Sequence, residues 1–355
     1  MKKIAELKEI IAGGEFDEKL AQIYLDKDMI PYNRERYVKA LDKFTELFGD
    51  QEVAIYSAPG RSEVCGNHTD HQNGHVLATS INLDAIAIVA PREDGVIELV
   101  SDDMPKEVIN VNDIEQDPAL EGTTTALIKG VVAGIRDYGF KVGGFTAFVT
   151  SDVLMGAGMS SSAAFESLIG TILSGLYNDM KVSSVDVAKI GQYAENVYFG
   201  KPCGLMDQMA SSVGSVVAID FKSTEEPIVE KVEFDLKKHN HALCIIDSGA
   251  DHADLTDEYA TIPSDMKAVA GFFGKEFLRE VDENEFMANI KNIRAKLNND
   301  RAVLRAIHFF NDNKRAQEEV KALKNDDFEL FKQLVKKSGQ SSYMYLQNVF
   351  ATSMP

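Results

Sequence analysis

The stretch "GGFTAFVTSDVLMGAGMSSSAAFESLIGTILSGLYNDM", residues 143–180, constrains the chain most. Its first ten residues read as a strand. Further on, Phe165, Leu168, Ile169, Ile172, Leu173 and Leu176 recur at three- and four-residue steps, the period of a buried helix face. Between strand and helix sit Gly156, Gly158, Ser160, Ser161 and Ser162. A helix that opens on such a turn has backbone N–H groups without intrahelical partners, at the positive end of its macrodipole. Glycines allow close backbone approach and the serines add hydroxyl donors, so the turn is suited to cradle an anion. No Gly-Lys-Ser/Thr closes it, as a P-loop would require, and Ser161 stands where a dinucleotide fingerprint has its third glycine. The same serines also suit a plain N-cap on a buried helix.

Around this unit the chain mixes strands and helices without strict alternation. Residues 1–49 read as helical, broken by Gly13-Gly14 and Pro31, and "RERYVKALDKFTELFG" places Tyr37, Val38, Leu41, Phe44 and Leu47 on one face. Strand-like runs follow at 52–59, twice within 75–94, and at 95–103. Others lie at 143–152, 215–221, 228–234 and 241–248. Helices are expected at 123–139 and 185–199, and helices dominate from 263 onward. This pattern predicts an α+β fold rather than a doubly wound parallel sheet. Two domains are expected, 1–225 and 226–355.

A formal charge of −19 argues against nucleic acid and anionic membranes as partners, since both require a basic face. Apolar runs such as "AIAIVA" (85–90) are far too short to span a bilayer. The opening "MKKIAELKEIIAGG" reads as an amphipathic helix rather than a signal peptide. Cys65, Cys203 and Cys244, odd in number and dispersed, fit a reduced, cytoplasmic protein.

Two polar segments carry chemistry. "SAPGRSEVCGNHTDHQNGHVL" (57–77) could be a solvated turn, a metal site, or a wall that grips a very polar small molecule. His68, Asp70, His71 and His75 are metal-ligand types without an established zinc spacing. "GLMDQMASSVG" (204–214) carries Asp207 in an apolar setting, either as a helix N-cap or as a carboxylate placed to take a proton from a hydroxyl. Arg61, within "APGR", would hold a neighbouring carboxylate ionised while offering charge to a phosphoryl group. Cys65 and Cys203 read as small packing residues.

Taken together, "APGRSEVCGNHTDHQNGHVL", "GAGMSSSAA", "PCGLMDQM" and "DHADLTDEYA" (251–260) resemble, in order, four motifs of the galactokinases within the GHMP kinase superfamily. The resemblance implies a ribosomal protein S5 domain 2-like N-terminal domain and a ferredoxin-like C-terminal domain. It implies transfer of the ATP γ-phosphate to the anomeric hydroxyl of galactose. Asp207 would be the base, or the group polarising that hydroxyl, and Arg61 would orient it and stabilise phosphate charge. Asn67, His68, Asp70, Gly204 and Tyr259 would line the sugar site with Arg61 and Asp207. Gly156, Gly158, Ser160, Ser161 and Ser162 would hold ATP. Glu195, with a serine of the turn, Ser161 in preference to Ser162, would bind Mg²⁺. A hexose offers many hydroxyls and little apolar surface, and each unpaired buried polar group costs about 1–3 kcal/mol. That accounts for the polar crowding at 57–77.

Two departures stand out. Asn67 occupies a position where many galactokinases have glutamate, which keeps hydrogen bonding but removes charge. The superfamily's third, glycine-rich motif has no counterpart, because Gly271, Gly274 and Gly339 are the only glycines after Gly249. The expectation is therefore a shortened C-terminal domain, weak or absent turnover, and an exposed sheet edge open to self-association. The alternative it raises is a galactose- and ATP-binding regulator without catalysis.

Overall fold

The computed structural model describes residues 1–102, 104–154, 158–246 and 256–349. Two compact units emerge, and each is discontinuous in sequence. The first comprises 1–61, 80–155 and 159–213, and the second 62–79, 156–158 and 214–355.

The first unit is built on a sheet in the order β1 (Lys2–Lys3), β2 (Glu52–Cys65), β3 (His75–Arg92), β6 (Gly144–Ser151), β4 (Val96–Ser101), β5 (Glu107–Asn110). β3 and β6 pair antiparallel from Ala85↔Ser151 to Arg92↔Gly144, and β4 lies parallel to β6. The two strand-like runs expected in 75–94 are one continuous strand. "AIAIVA" is apolar at every position because both sheet faces are covered. Ala85, Ala87 and Val89 enter a core with α4 (Thr124–Asp137), α5 (Ser161–Tyr177) and α6 (Ser184–Tyr193). Ile86, Ile88 and Ala90 enter a second core with α1 (Ile4–Ala12), α2 (Asp17–Tyr24) and α3 (Ile30–Phe48). Pro31 does not break α3. It sits in its first turn, where a missing N–H costs nothing. Tyr37, Leu41 and Phe44 are buried as the spacing requires, while Leu47 is exposed.

A buried polar tie crosses the second of these cores. Arg36 donates to Asp84 Oδ1 at 2.6 Å, and Tyr24 donates to Asp84 Oδ2 at 2.9 Å. The charge is thus paired and bonded, as a buried carboxylate must be.

In the second unit β7 (Val216–Asp220) pairs antiparallel with residues 75–79 of β3, and β8 (Ile228–Val232) with β7. Among the described residues, α8 (Thr256–Phe272), α9 (Glu283–Leu297), α10 (Asp300–Lys324) and α11 (Phe328–Ser341) join it. Phe286, Phe309 and Phe310 anchor one core, and Leu77, Phe328 and Phe331 another. The strand expected at 241–248 is not found over its described residues, 241–246. No ladder partner lies beside it among the described residues, and Leu243 (52%) and Ile246 (89%) are left exposed. Among the described residues no helix is long and apolar enough to cross a membrane.

Candidate active site

In the first unit, β2 continues through Pro59 and Gly60 and delivers Arg61 beside α7 (Met206–Val213). Asp207 lies in the first turn of α7, inside the helix rather than at its cap. Arg61 Nε donates to Asp207 Oδ1 at 2.7 Å, and Nη2 donates to Oδ2 at 2.5 Å. Such two-point pairing fixes the carboxylate plane as well as its charge. The Ser160 hydroxyl donates to the same Oδ2. Residues 146 apart in sequence, with the serine turn between them in the chain, therefore meet at one carboxylate.

The charge state of that group follows. Burial pushes the Asp207 carboxyl upward, but the Arg61 charge, the Arg61 hydrogen bonds and the Ser160 hydroxyl outweigh it. The acid is held below the ordinary aspartate value and is ionised at neutral pH. The exposed fraction of its side chain is 27%, and that of Arg61 is 14%, so the carboxylate remains reachable.

The serine turn reaches α5 through Gly158, at φ +73°, and Ser160, at φ +52°. Ser161 opens α5. Of the two serines, it is the Ser162 hydroxyl that meets Glu195, donating to Oε1 at 3.1 Å. Glu195 lies on a π-helical turn, Ala194–Phe199, that continues α6. Such turns re-aim side chains and recur at functional sites. Gln208, next to Asp207, donates from one amide nitrogen to Glu195 Oε2 at 2.8 Å and to Glu166 Oε2 at 3.1 Å. Lys201 Nζ lies 3.5 Å from Glu195 Oε1. Burial, then the Glu195 charge, push the Glu166 carboxyl well above its usual range.

Glu166 and Gln208 were not singled out from the sequence. The signal was available for Glu166, the one charged residue between 161 and 177. Gly204 lies in the segment just before α7. Gly156 falls outside the described residues, as does the first half of the 251–260 motif.

In the second unit, Asn67, His68 and Asp70 share one tight turn. Thr69 N–H donates to Gly66 O at 2.8 Å, and its buried hydroxyl bonds the carbonyls of Gly66 and His75. The His68 ring is 5.4 Å from both the His71 ring and the Tyr259 ring, so Tyr259, on α8, joins this group. His75 turns instead to Asp220, at 3.1 Å from Nε2, and to Asn313. Among the described residues no cluster of three or more histidine, cysteine or acidic side chains is arranged to hold a metal. Cys65 is buried, and burial pushes its thiol up, which suits packing rather than nucleophilic chemistry.

Family models match both of these stretches of the chain. The model "GHMP kinases N terminal domain" matches residues 126–215, the span holding the serine turn, Glu195 and Asp207. The model "Galactokinase galactose-binding signature" matches residues 42–91. The structure of Lactococcus lactis galactokinase complexed with galactose superposes with a TM-score of 0.71 at 24% identity, covering 86% of this chain and 78% of that one. The fold is that of the GHMP kinases, with the α+β character expected. The galactokinase of Actinobacillus pleuropneumoniae is 33% identical over 312 residues, which are 85% of this chain and 77% of that protein. That of Streptomyces coelicolor is 29% identical over 287 residues, 81% of this chain and 73% of the other. The chain belongs to the galactokinase family, and so to the ATP-dependent sugar kinases.

Proposed function

We propose that this chain phosphorylates galactose at its anomeric hydroxyl, using ATP and giving galactose 1-phosphate and ADP. The observation that carries the reading is the Arg61–Asp207–Ser160 constellation, formed within one unit by residues of three separate motifs. In the proposed step the C1 hydroxyl oxygen bonds to the γ-phosphorus while the bond from that phosphorus to the β,γ-bridging oxygen breaks. The hydroxyl proton passes to Asp207. A carboxylate held below its ordinary value is a weak base, so it orients and polarises the hydroxyl and takes the proton only as the new bond forms. Arg61 keeps the carboxylate ionised and supplies positive charge near the transferring group. Positioning and charge stabilisation are what phosphoryl transfer chiefly demands.

The residues present suit Mg²⁺. Glu195 and Ser162 offer hard oxygen donors, and among the described residues Glu166 Oε1 and Gln208 Oε1 are buried polar atoms without hydrogen-bond partners. Mg²⁺ takes one or two carboxylates and completes its shell with water and phosphate oxygens. Bound with ATP, it would neutralise charge on the β- and γ-phosphate oxygens. In this reading Gly158 and Ser161 belong to the phosphate-holding turn, Asn67, His68, Asp70 and Tyr259 to the sugar-gripping group of the second unit, and Gly204 leads into the helix that carries Asp207.

ATP consumption coupled to galactose is the direct test, with galactosamine and glucose as comparison sugars. Galactose-dependent turnover is expected, and Asp207→Asn should lower kcat at least about a hundredfold with little change in KM, as loss of a transition-state interaction does. Equal turnover in the parent and the asparagine variant would remove Asp207 from the chemistry. Galactose binding without turnover would favour a regulator on the same scaffold.

A further inference from the structure

The turn bearing Asn67, His68 and Asp70 is fastened by residues some 240 positions later in the chain. His308, on α10, is completely buried. Its Nε2 lies 2.9 Å from the Asn67 carbonyl oxygen, and its Nδ1 lies 2.9 Å from Ser341 Oγ. A carbonyl can only accept, so Nε2 bears the proton and Nδ1 accepts from the Ser341 hydroxyl. Burial pushes the imidazole down to about 4, consistent with a neutral ring. The Asn67 side chain is held separately, its Nδ2 donating to Ser342 Oγ at 3.0 Å. Two adjacent serines thus hold the ring and the amide, at the junction of α11 with the π-helical turn Ser342–Leu346.

The turn needs such support. His68 has φ +62°, in the left-handed region, which costs a side-chain-bearing residue about 1–2 kcal/mol. Strained residues of this kind persist where their surroundings over-determine them. Asp312, with Oδ2 at 3.6 Å from His308 Nε2, accepts from Ser338 at 2.9 Å, so the network continues into α11.

We propose that His308, seconded by Ser342, is the positioning residue for the sugar-gripping turn. It fixes the Asn67 carbonyl, and with it the directions in which His68 and Asp70 leave the backbone. The inference rests on reading that turn as part of the galactose site.

The test compares His308→Leu, His308→Gln and Ser342→Ala in the full chain. Galactose and ATP are varied separately, and amide hydrogen exchange is followed over residues 66–74 without ligand. Leucine removes both hydrogen bonds, whereas a glutamine amide can donate to the carbonyl and accept from the serine. His308→Leu should raise the galactose KM about tenfold with the ATP KM nearly unchanged, the scale of one lost buried hydrogen bond. His308→Gln should restore most of it, and Ser342→Ala should fall between. Exchange at Thr69 and Gly74 should quicken about tenfold in His308→Leu and stay near the parent rate in His308→Gln. Both KM values rising together, no rescue by glutamine, or unchanged exchange in a folded leucine variant would each overturn the proposal. Should the leucine variant not fold, Ser342→Ala decides, since unaltered exchange over 66–69 would overturn it equally. If the parent shows no galactose turnover, the sugar-kinase reading falls, and the exchange rates still judge the positioning role.

Discussion

Glu319 lies on α10, wholly buried beside the Cys65 thiol and the Arg315 guanidinium. Burial raises its carboxyl from 4.5 to about 8, against the lowering effect of those two neighbours. Asp207 has the opposite fate because its arginine pairs with it at two points. The sign for stability follows from proton counts. Between pH 4.5 and about 8 the folded chain keeps a proton on Glu319 that the unfolded chain has released. Stability therefore falls as pH rises through that window and levels off above it. Glu319→Gln should match the parent near pH 5 and melt several degrees higher at pH 8, a gap of about 2–4 kcal/mol at most. Thermal melts at pH 5, 6.5 and 8 check this. A parent–variant difference that does not grow with pH would refute it.

β2 shows how a single element can set a site. A Cβ at Gly60 would come 2.9 Å from the Met159 carbonyl oxygen and 3.0 Å from Val153 Cγ1. That same carbonyl accepts from the Arg61 N–H at 3.1 Å. Gly60→Ala must displace the backbone just ahead of Ser160, so it should cost about 1–3 kcal/mol in urea unfolding and also reduce turnover. A variant as stable and active as the parent would contradict the close approach. From sequence, Pro59 and Gly60 read as the end of a strand, because both residues usually punctuate, and only tertiary packing explains the continuation. α3, α4 and α5 were legible because their apolar periods are long. β5 was missed because Glu107–Asn110 is too short to show a period. Residues 241–246 read as a strand from their apolar run, but a strand exists only with a partner ladder. The residues themselves marked the serine turn as an anion cradle and Arg61 and Asp207 as a charge pair, whereas joining them into one candidate site took the family resemblance. Spacing cannot bring Arg61 to Asp207, nor His308 to Asn67, across such sequence separations.

At the scale of the whole chain, each unit has cores of its own, so each has a source of stability independent of ligand. The −19 charge keeps most of the surface solvated. The segment Leu243–Ile246 is one of several exposed apolar places among the described residues. It sets a bare thiol, Cys244, among exposed aliphatic side chains, while Cys65 is buried and Cys203 partly so. Purified material left in air should accordingly age into a covalent pair, dissolved oxygen coupling two such sulfurs. The band would show on a non-reducing gel and vanish with dithiothreitol. Cys244→Ser should lengthen shelf life, and persistence of the band in that variant would place the reactive sulfur elsewhere.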